Sequence, residues 1–198
     1  SGDVSARVVA TTQPVKLAAL EGQWATERGA PLRIGGWPDA AREETRWALE
    51  IPYGLSLLAF HHPYAEVKGL RTVVAADRPP VAVVHLAFQT MVGLGSTMAL
   101  VALWAAWSLW RRRALVEHRA LLRALVIAAP FGFLATEAGW IVTEVGRQPW
   151  VVQGLMRTSA AVTPMPGLVV PMLLFTLLYL GLGAIVVALI TSLVRETA

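Results

Sequence analysis

Two carboxylates, Glu137 and Glu144, sit in an otherwise apolar stretch whose end reads EAGWIVTEVGRQPW, from Glu137 to Trp150. An acidic side chain in such a run is costly, and it points to a bound proton, cation or metal. Glu137, Trp140 and Glu144 are spaced three, four and seven apart, so on a helix they share one face. Arg147 follows Glu144 by three and reaches the same face while the helix persists. Two chemistries fit these residues. Glu144 and Arg147 can form an end-of-helix ion pair, or Glu144 can offer its oxygens to a cationic centre. Met91 is a second candidate. A thioether in an apolar helix packs well, and it can also serve as an axial haem ligand that raises the potential. Gly93 and Gly95 follow it and permit close approach by a helix or a cofactor. His85 lies six residues before Met91, off its face, and reads as an interfacial residue. His61, His62 and His118 fall in polar segments without metal-ligand spacing to a partner. In QPVKLAALEGQW, Lys16 and Glu21 are five apart and do not form a helical pair. Alone they read as solvated charges.

The elements that must hold these groups follow from the apolar runs. Val81 to Trp110 contains no Asp, Glu, Lys or Arg. As a helix it would reach roughly 45 Å, more than a ~30 Å hydrocarbon core requires. Pro79 and Pro80 suit its start, and Trp104, Trp107 and Trp110 suit a membrane interface at its far end. A second span is expected over 121–145 and a third over 168–193, the last nearly all apolar and read as lipid-facing or scaffold. Met91 then lies roughly 15 Å into the bilayer from the outer side. Residues 1–80 are polar enough to lie outside the membrane. There the pattern predicts a helix from Pro14 to near Arg28–Gly29, and turns at Gly35-Gly36 and Trp37-Pro38. It also predicts a helix over 39–50 with Asp39 as cap, and a short interfacial helix within 51–62.

Composition agrees with this division. The chain of 198 residues is 56% hydrophobic and 15% charged, with a mean hydropathy of +0.56, where a soluble domain carries about a quarter charged residues. Without Met at its start, Ser1 reads as a cut point inside a longer protein. The absence of Cys excludes disulfides, thiolate metal sites and a Cys nucleophile. The net charge of +4 does not indicate nucleic acid, because the basic residues cluster at the end of a span. Arg111, Arg112, Arg113, Arg119 and Arg123 face only Glu117 around the connection at 111–120, whereas 146–167 carries just Arg147 and Arg157. The positive-inside rule places 111–120 in the cytoplasm, with 1–80 and 146–167 outside and 194–198 as a cytoplasmic tail.

Three strings, QPVKLAALEGQW, FQTMVGLG (Phe88 to Gly95) and EAGWIVTEVGRQPW, resemble subunit I of cytochrome bd-type quinol oxidases. They occur in the family's order, span nearly the whole chain, and correspond to the C-terminal half of that subunit. The resemblance implies an all-α membrane protein, with three transmembrane helices preceded by an extracytoplasmic, partly helical quinol-binding loop region. These form part of a larger helical bundle in the bacterial cytoplasmic (inner) membrane. It implies a quinol:oxygen oxidoreductase that oxidises quinol at the outer side. Electrons then pass through a low-spin haem b to a high-spin haem b and a haem d, where O2 becomes water with protons drawn from the cytoplasm. By motif, Lys16 and Glu21 match the residues of quinol oxidation. Met91 matches the low-spin haem b iron ligand, and Glu144 that of the high-spin haem b. Trp140 matches an aromatic between the haems, and Arg147 a charge-balancing cation. The implied partners are the N-terminal half of subunit I, subunit II, membrane quinol and the lipid bilayer.

One departure is Gln89, where the family often has Arg; it removes a cation near a haem propionate. The haem His ligands are expected in the N-terminal half, so this chain alone is not expected to assemble the oxygen-reducing site. The rival expectation is a non-catalytic membrane scaffold or transporter fragment whose carboxylate binds a cation or proton.

Overall fold

The computed structural model describes residues 2–111 and 118–197. Arg112, Arg113 and Glu117, which the basic-connection reading uses, lie outside the described residues. Among the described residues, three helical segments are long and apolar enough to cross a membrane: Val81–Trp110, Arg119–Val145 and Val169–Glu196. The first is one continuous helix, α4 (Val81–Trp110). The second is broken into α5 (Arg119–Ala128) and α6 (Phe131–Val145). Pro130 stands at the break, where it lacks an N–H to donate and obstructs the preceding turn. The third, α7 (Val169–Thr197), belongs to a separate compact unit that begins at Val162.

The polar N-terminal region is helical only in part. Helices α1 (Gly2–Thr12), α2 (Pro14–Glu21) and α3 (Gly54–Phe60) alternate with very short strands. These are β1 (Glu27–Arg28), β2 (Leu32–Ile34), β3 (Trp37–Asp39), β4 (Glu44–Arg46), β5 (Leu49–Ile51) and β6 (Glu66–Val67). They pair antiparallel as β1–β6, β2–β5 and β3–β4. A fourth ladder, β7 (Trp150–Val152) with β8 (Met156–Arg157), follows α6.

Two local expectations are corrected here. The helix from Pro14 ends at Glu21 and does not reach Arg28, because Gly22 turns left-handed (φ 60°). Its N–H and that of Gln23 then bond Ala19 O and Ala18 O, which closes the helix end. A Cβ at Gly22 would lie 2.6 Å from Thr45 Oγ1, so a larger residue would displace β4. The predicted helix over 39–50 is a β-hairpin. Pro38 favours extended backbone at Trp37, and the Asp39 carboxylate accepts from Ala41 N at 3.0 Å and Arg42 N at 3.2 Å. Asp39 therefore builds a turn instead of capping a helix. Thr45 then fastens the hairpin, donating to Gly22 O at 2.8 Å and accepting from Trp24 Nε1 at 3.1 Å. These tertiary bonds outweigh the helix-forming composition of the segment.

The loop region docks on the N-terminal end of α4 and the C-terminal end of α6. Ala18, Ala19, Leu20 and Trp24 pack with Leu70, with Val81 and Val84 of α4, and with Val142 of α6. Burying such side chains contributes about 1.5–3 kcal/mol for each Leu or Val. This cluster fixes α2, and with it Lys16 and Glu21, against both helices.

Candidate functional site

Glu21 closes α2 and is buried, with Oε2 lacking any hydrogen-bond partner. It lines a cavity of about 490 Å³ whose other walls include Leu17, Leu20, Leu55, Leu58 and Phe88. An unpaired carboxylate in apolar surroundings favours its neutral form. Burial accordingly pushes the Glu21 carboxyl up to about 7, against the opposing pull of the Arg33 guanidinium. The arrangement is an apolar hole with one group able to exchange a proton near neutral pH.

Lys16 points elsewhere, as its five-residue offset from Glu21 requires. Its ammonium donates to Thr143 O at 3.4 Å, near the C-terminal end of α6. It lines a second cavity, of about 360 Å³, together with Gln13, Asp77, Arg147 and Trp150. Burial lowers the Lys16 pKa, and so does the nearby Arg147 cation, while Glu144 opposes them. The structure thus brings Lys16 to the Glu144–Arg147 pair and sets Glu21 in a different cavity. Glu144 Oε1 accepts from Arg147 at 3.2 Å, and both side chains are about half exposed.

Met91 and Glu144 address different sides of α6. The Met91 sulfur lies 3.1 Å from where a Cβ would stand on Gly139, so the glycine makes room for it at the α4–α6 contact. Glu144 is five positions beyond Gly139, about 140° around the helix. Trp140, one turn inward of Glu144 and on its face, is 64% exposed. Ala138 and Val142, by contrast, are buried. Nothing lies within 4 Å of a Cβ built on Gly95, one turn beyond Met91 on its face of α4, so the surface there is flat. A neutral thioether next to a flat helix surface, and a carboxylate beside an open indole face, both suit a planar iron-bearing group. The residue types present therefore suit haem. Among the described residues, no group of three or more His, Asp or Glu could hold a metal ion.

Two polar residues of α4 turn toward the loop region. His85 is fully buried and not interfacial, because the loop region covers it. Its Nδ1 lies 2.7 Å from Leu20 O and its Nε2 3.0 Å from Gly35 O. Gln89 spends its amide on the loop as well, accepting from Gly35 N at 3.1 Å and donating to Arg33 O at 2.9 Å. Arg33 itself gave no signal in the sequence, since its neighbours become close only when β2 pairs with β5.

The sequence profile described as cytochrome bd terminal oxidase subunit I matches residues 1–198. The chain belongs to that family. A Bacillus subtilis (strain 168) relative, cytochrome bd ubiquinol oxidase subunit 1, is 36% identical over 212 residues, covering 100% of this chain and 45% of the relative. Cytochrome bd-II ubiquinol oxidase subunit 1 of Escherichia coli (strain K12) is 30% identical over 226 residues, covering 81% and 44%. The solved bd oxidase from Geobacillus thermodenitrificans superposes with a TM-score of 0.84 at 36% identity, over 100% of this chain and 45% of that one. The chain thus spans a little under half the length of these bd oxidase subunits.

Proposed function

We propose that this chain supplies the quinol-oxidising region and two haem-iron ligands of a bd-type quinol:oxygen oxidoreductase. It would correspond to the C-terminal half of subunit I and work with the N-terminal half and subunit II. The observation that carries the reading is Glu21, a buried carboxylate with an oxygen unpaired among the described residues, in an apolar cavity that Phe88 of α4 helps to line. Quinol gives up two electrons and two protons when it becomes quinone. Glu21, once ionised, accepts one of those protons as a general base. Lys16, held over Thr143 at the end of α6, steadies a quinone oxygen or an anionic group beside Arg147. Met91 would hold the low-spin haem b and Glu144 the high-spin haem b, with Trp140 as a ring contact and Arg147 balancing charge. When bound, those haems and haem d supply the electron transfer and oxygen chemistry.

Proton acceptance requires the carboxylate. Quinol oxidation should therefore rise with pH through about 7, where the Glu21 carboxyl ionises. The sign for stability is opposite. Because folding raises the Glu21 pKa, its contribution is intact at low pH and declines as pH rises from 4.5 through about 7.

The complete complex, purified with this chain in place, should show haem b and haem d bands and consume O2 with quinol. A complex with neither property would refute the oxidase reading and leave the scaffold reading standing. The side of the membrane is tested separately. The Arg imbalance places the loop region outside in a bacterial cytoplasmic membrane. In the assembled protein, a Cys introduced at the exposed Ala41 should be labelled by an impermeant maleimide from the outer side. One introduced at Ala114 should be labelled only from the cytoplasm. Labelling of Ala41→Cys solely from the cytoplasmic side would reverse the orientation.

A further inference from the structure

His85 is a fully buried polar side chain to which quinol oxidation, as proposed above, gives no task. It sits one turn into α4, and its ring meets the chain on both sides of Glu21. Nδ1 lies 2.7 Å from the carbonyl oxygen of Leu20, the residue before Glu21. The same atom is 3.4 Å from where a Cβ would stand on Gly22, the residue after it. The ring therefore closes directly on the end of α2. The turn at Gly22 already satisfies Ala19 O and Ala18 O through the N–H groups of Gly22 and Gln23. His85 supplies a partner to Leu20 O, the next carbonyl of a helix end whose last C=O groups find none within the helix. A carbonyl oxygen only accepts, so this contact places a proton on Nδ1.

The other edge of the ring reaches β2, with Nε2 at 3.0 Å from Gly35 O. Gln89, four residues on and on the same face of α4, accepts from Gly35 N at 3.1 Å and donates to Arg33 O at 2.9 Å. Phe88, three residues beyond His85, lines the apolar cavity together with Leu20 and Glu21 of α2 and Leu32 of β2. One face of α4 thus carries a wall of the cavity and the hydrogen bonds that hold two other walls in place.

We infer that His85 is a positioning residue for quinol oxidation: seated on Leu20 O and against Gly22, its ring fixes the end of α2 on α4 and so holds the Glu21 carboxylate where quinol gives up a proton. The inference rests on the role of Glu21 proposed above. Among the described residues Glu21 Oε2 bonds no partner, so the direction of the carboxylate depends on the backbone that carries it. A general base must stand within hydrogen-bond reach of the proton it takes, and a misplacement of about 1 Å can cost roughly a hundredfold in rate.

The test is a double-substitution cycle on quinol oxidation by the complete complex, with haem quantified alongside. His85→Leu should lower kcat about tenfold or more, with haem content unchanged. In a Glu21→Gln background the same change should cost no more than about twofold, because displacing a base matters only while the base is present. An unchanged kcat in His85→Leu, or losses that multiply in the double variant, would overturn this inference alone. A Glu21→Gln complex that keeps its rate would instead defeat the proposed role of Glu21. If His85→Leu does not assemble, two amides decide. Asparagine places its amide nitrogen near the position of Nδ1, and glutamine near that of Nε2. His85→Asn can still donate to Leu20 O and should stay within a few-fold of the parent rate. His85→Gln turns toward Gly35 O and should fall about tenfold. Equal rates in the two would overturn the inference.

Discussion

Replacing Glu21 by Ala in the complete oxidase is expected to cut quinol-dependent oxygen uptake on the order of a hundredfold or more, the usual loss when a general base is removed. Haem content should stay near normal. The carboxylate is buried and its Oε2 has no partner to lose, so truncation strips no hydrogen bond from that oxygen. It leaves an apolar cavity with no proton acceptor. Lys16→Ala is expected to impair quinol oxidation as well, with haem retained, but through a different cavity. Its ammonium lies over Thr143 O beside the Glu144–Arg147 pair. Steady-state kinetics with a soluble quinol analogue, together with pyridine haemochrome quantitation, measure both effects. If Lys16→Ala changed haem content and left quinol kinetics intact, Lys16 would belong to the Glu144 centre and not to quinol.

What the sequence disclosed and what it concealed divide along physical lines. The spans were legible because Val81–Trp110 and Val169–Glu196 are long, apolar and almost free of charge. The break at Pro130 went unread because the hydropathy of 121–145 continues across it. The loop region was misread where tertiary bonds override local preference. The 39–50 stretch has helix-forming composition, yet Thr45 and Trp24 lock it as a hairpin. The candidate site was legible as residue types in order: Met91, Trp140, Glu144 and Arg147 on spans, Lys16 and Glu21 before them. Their grouping was hidden. Lys16 reaches Thr143, beside Glu144, across 127 residues of sequence, and no spacing rule reaches that far. Likewise Gln89, read as the loss of a cation, holds the backbone of Arg33. His85 was misplaced because its burial depends on a loop that folds over it from Leu20 and Gly35.

The second large effect concerns the two proposed iron ligands. Met91 meets α6 at Gly139, whereas Glu144 stands on the exposed face with Trp140. The two proposed ligand atoms address different sides of α6, which supports assigning them to two planar groups instead of one. A soft, neutral thioether suits a six-coordinate low-spin haem of raised potential. A hard anionic carboxylate suits a high-spin haem, and without iron it would stay paired with Arg147. Each substitution should therefore remove or shift one haem and spare the other.

Reduced-minus-oxidised spectra of the complete oxidase carrying Met91→Leu or Glu144→Ala measure this directly. The predicted result is loss or displacement of the low-spin haem b band in Met91→Leu with the high-spin haem retained, and the reverse in Glu144→Ala. Loss of the same haem in both variants, or of none in either, would contradict the assignment and leave Glu144 and Arg147 as an ion pair at the end of a helix.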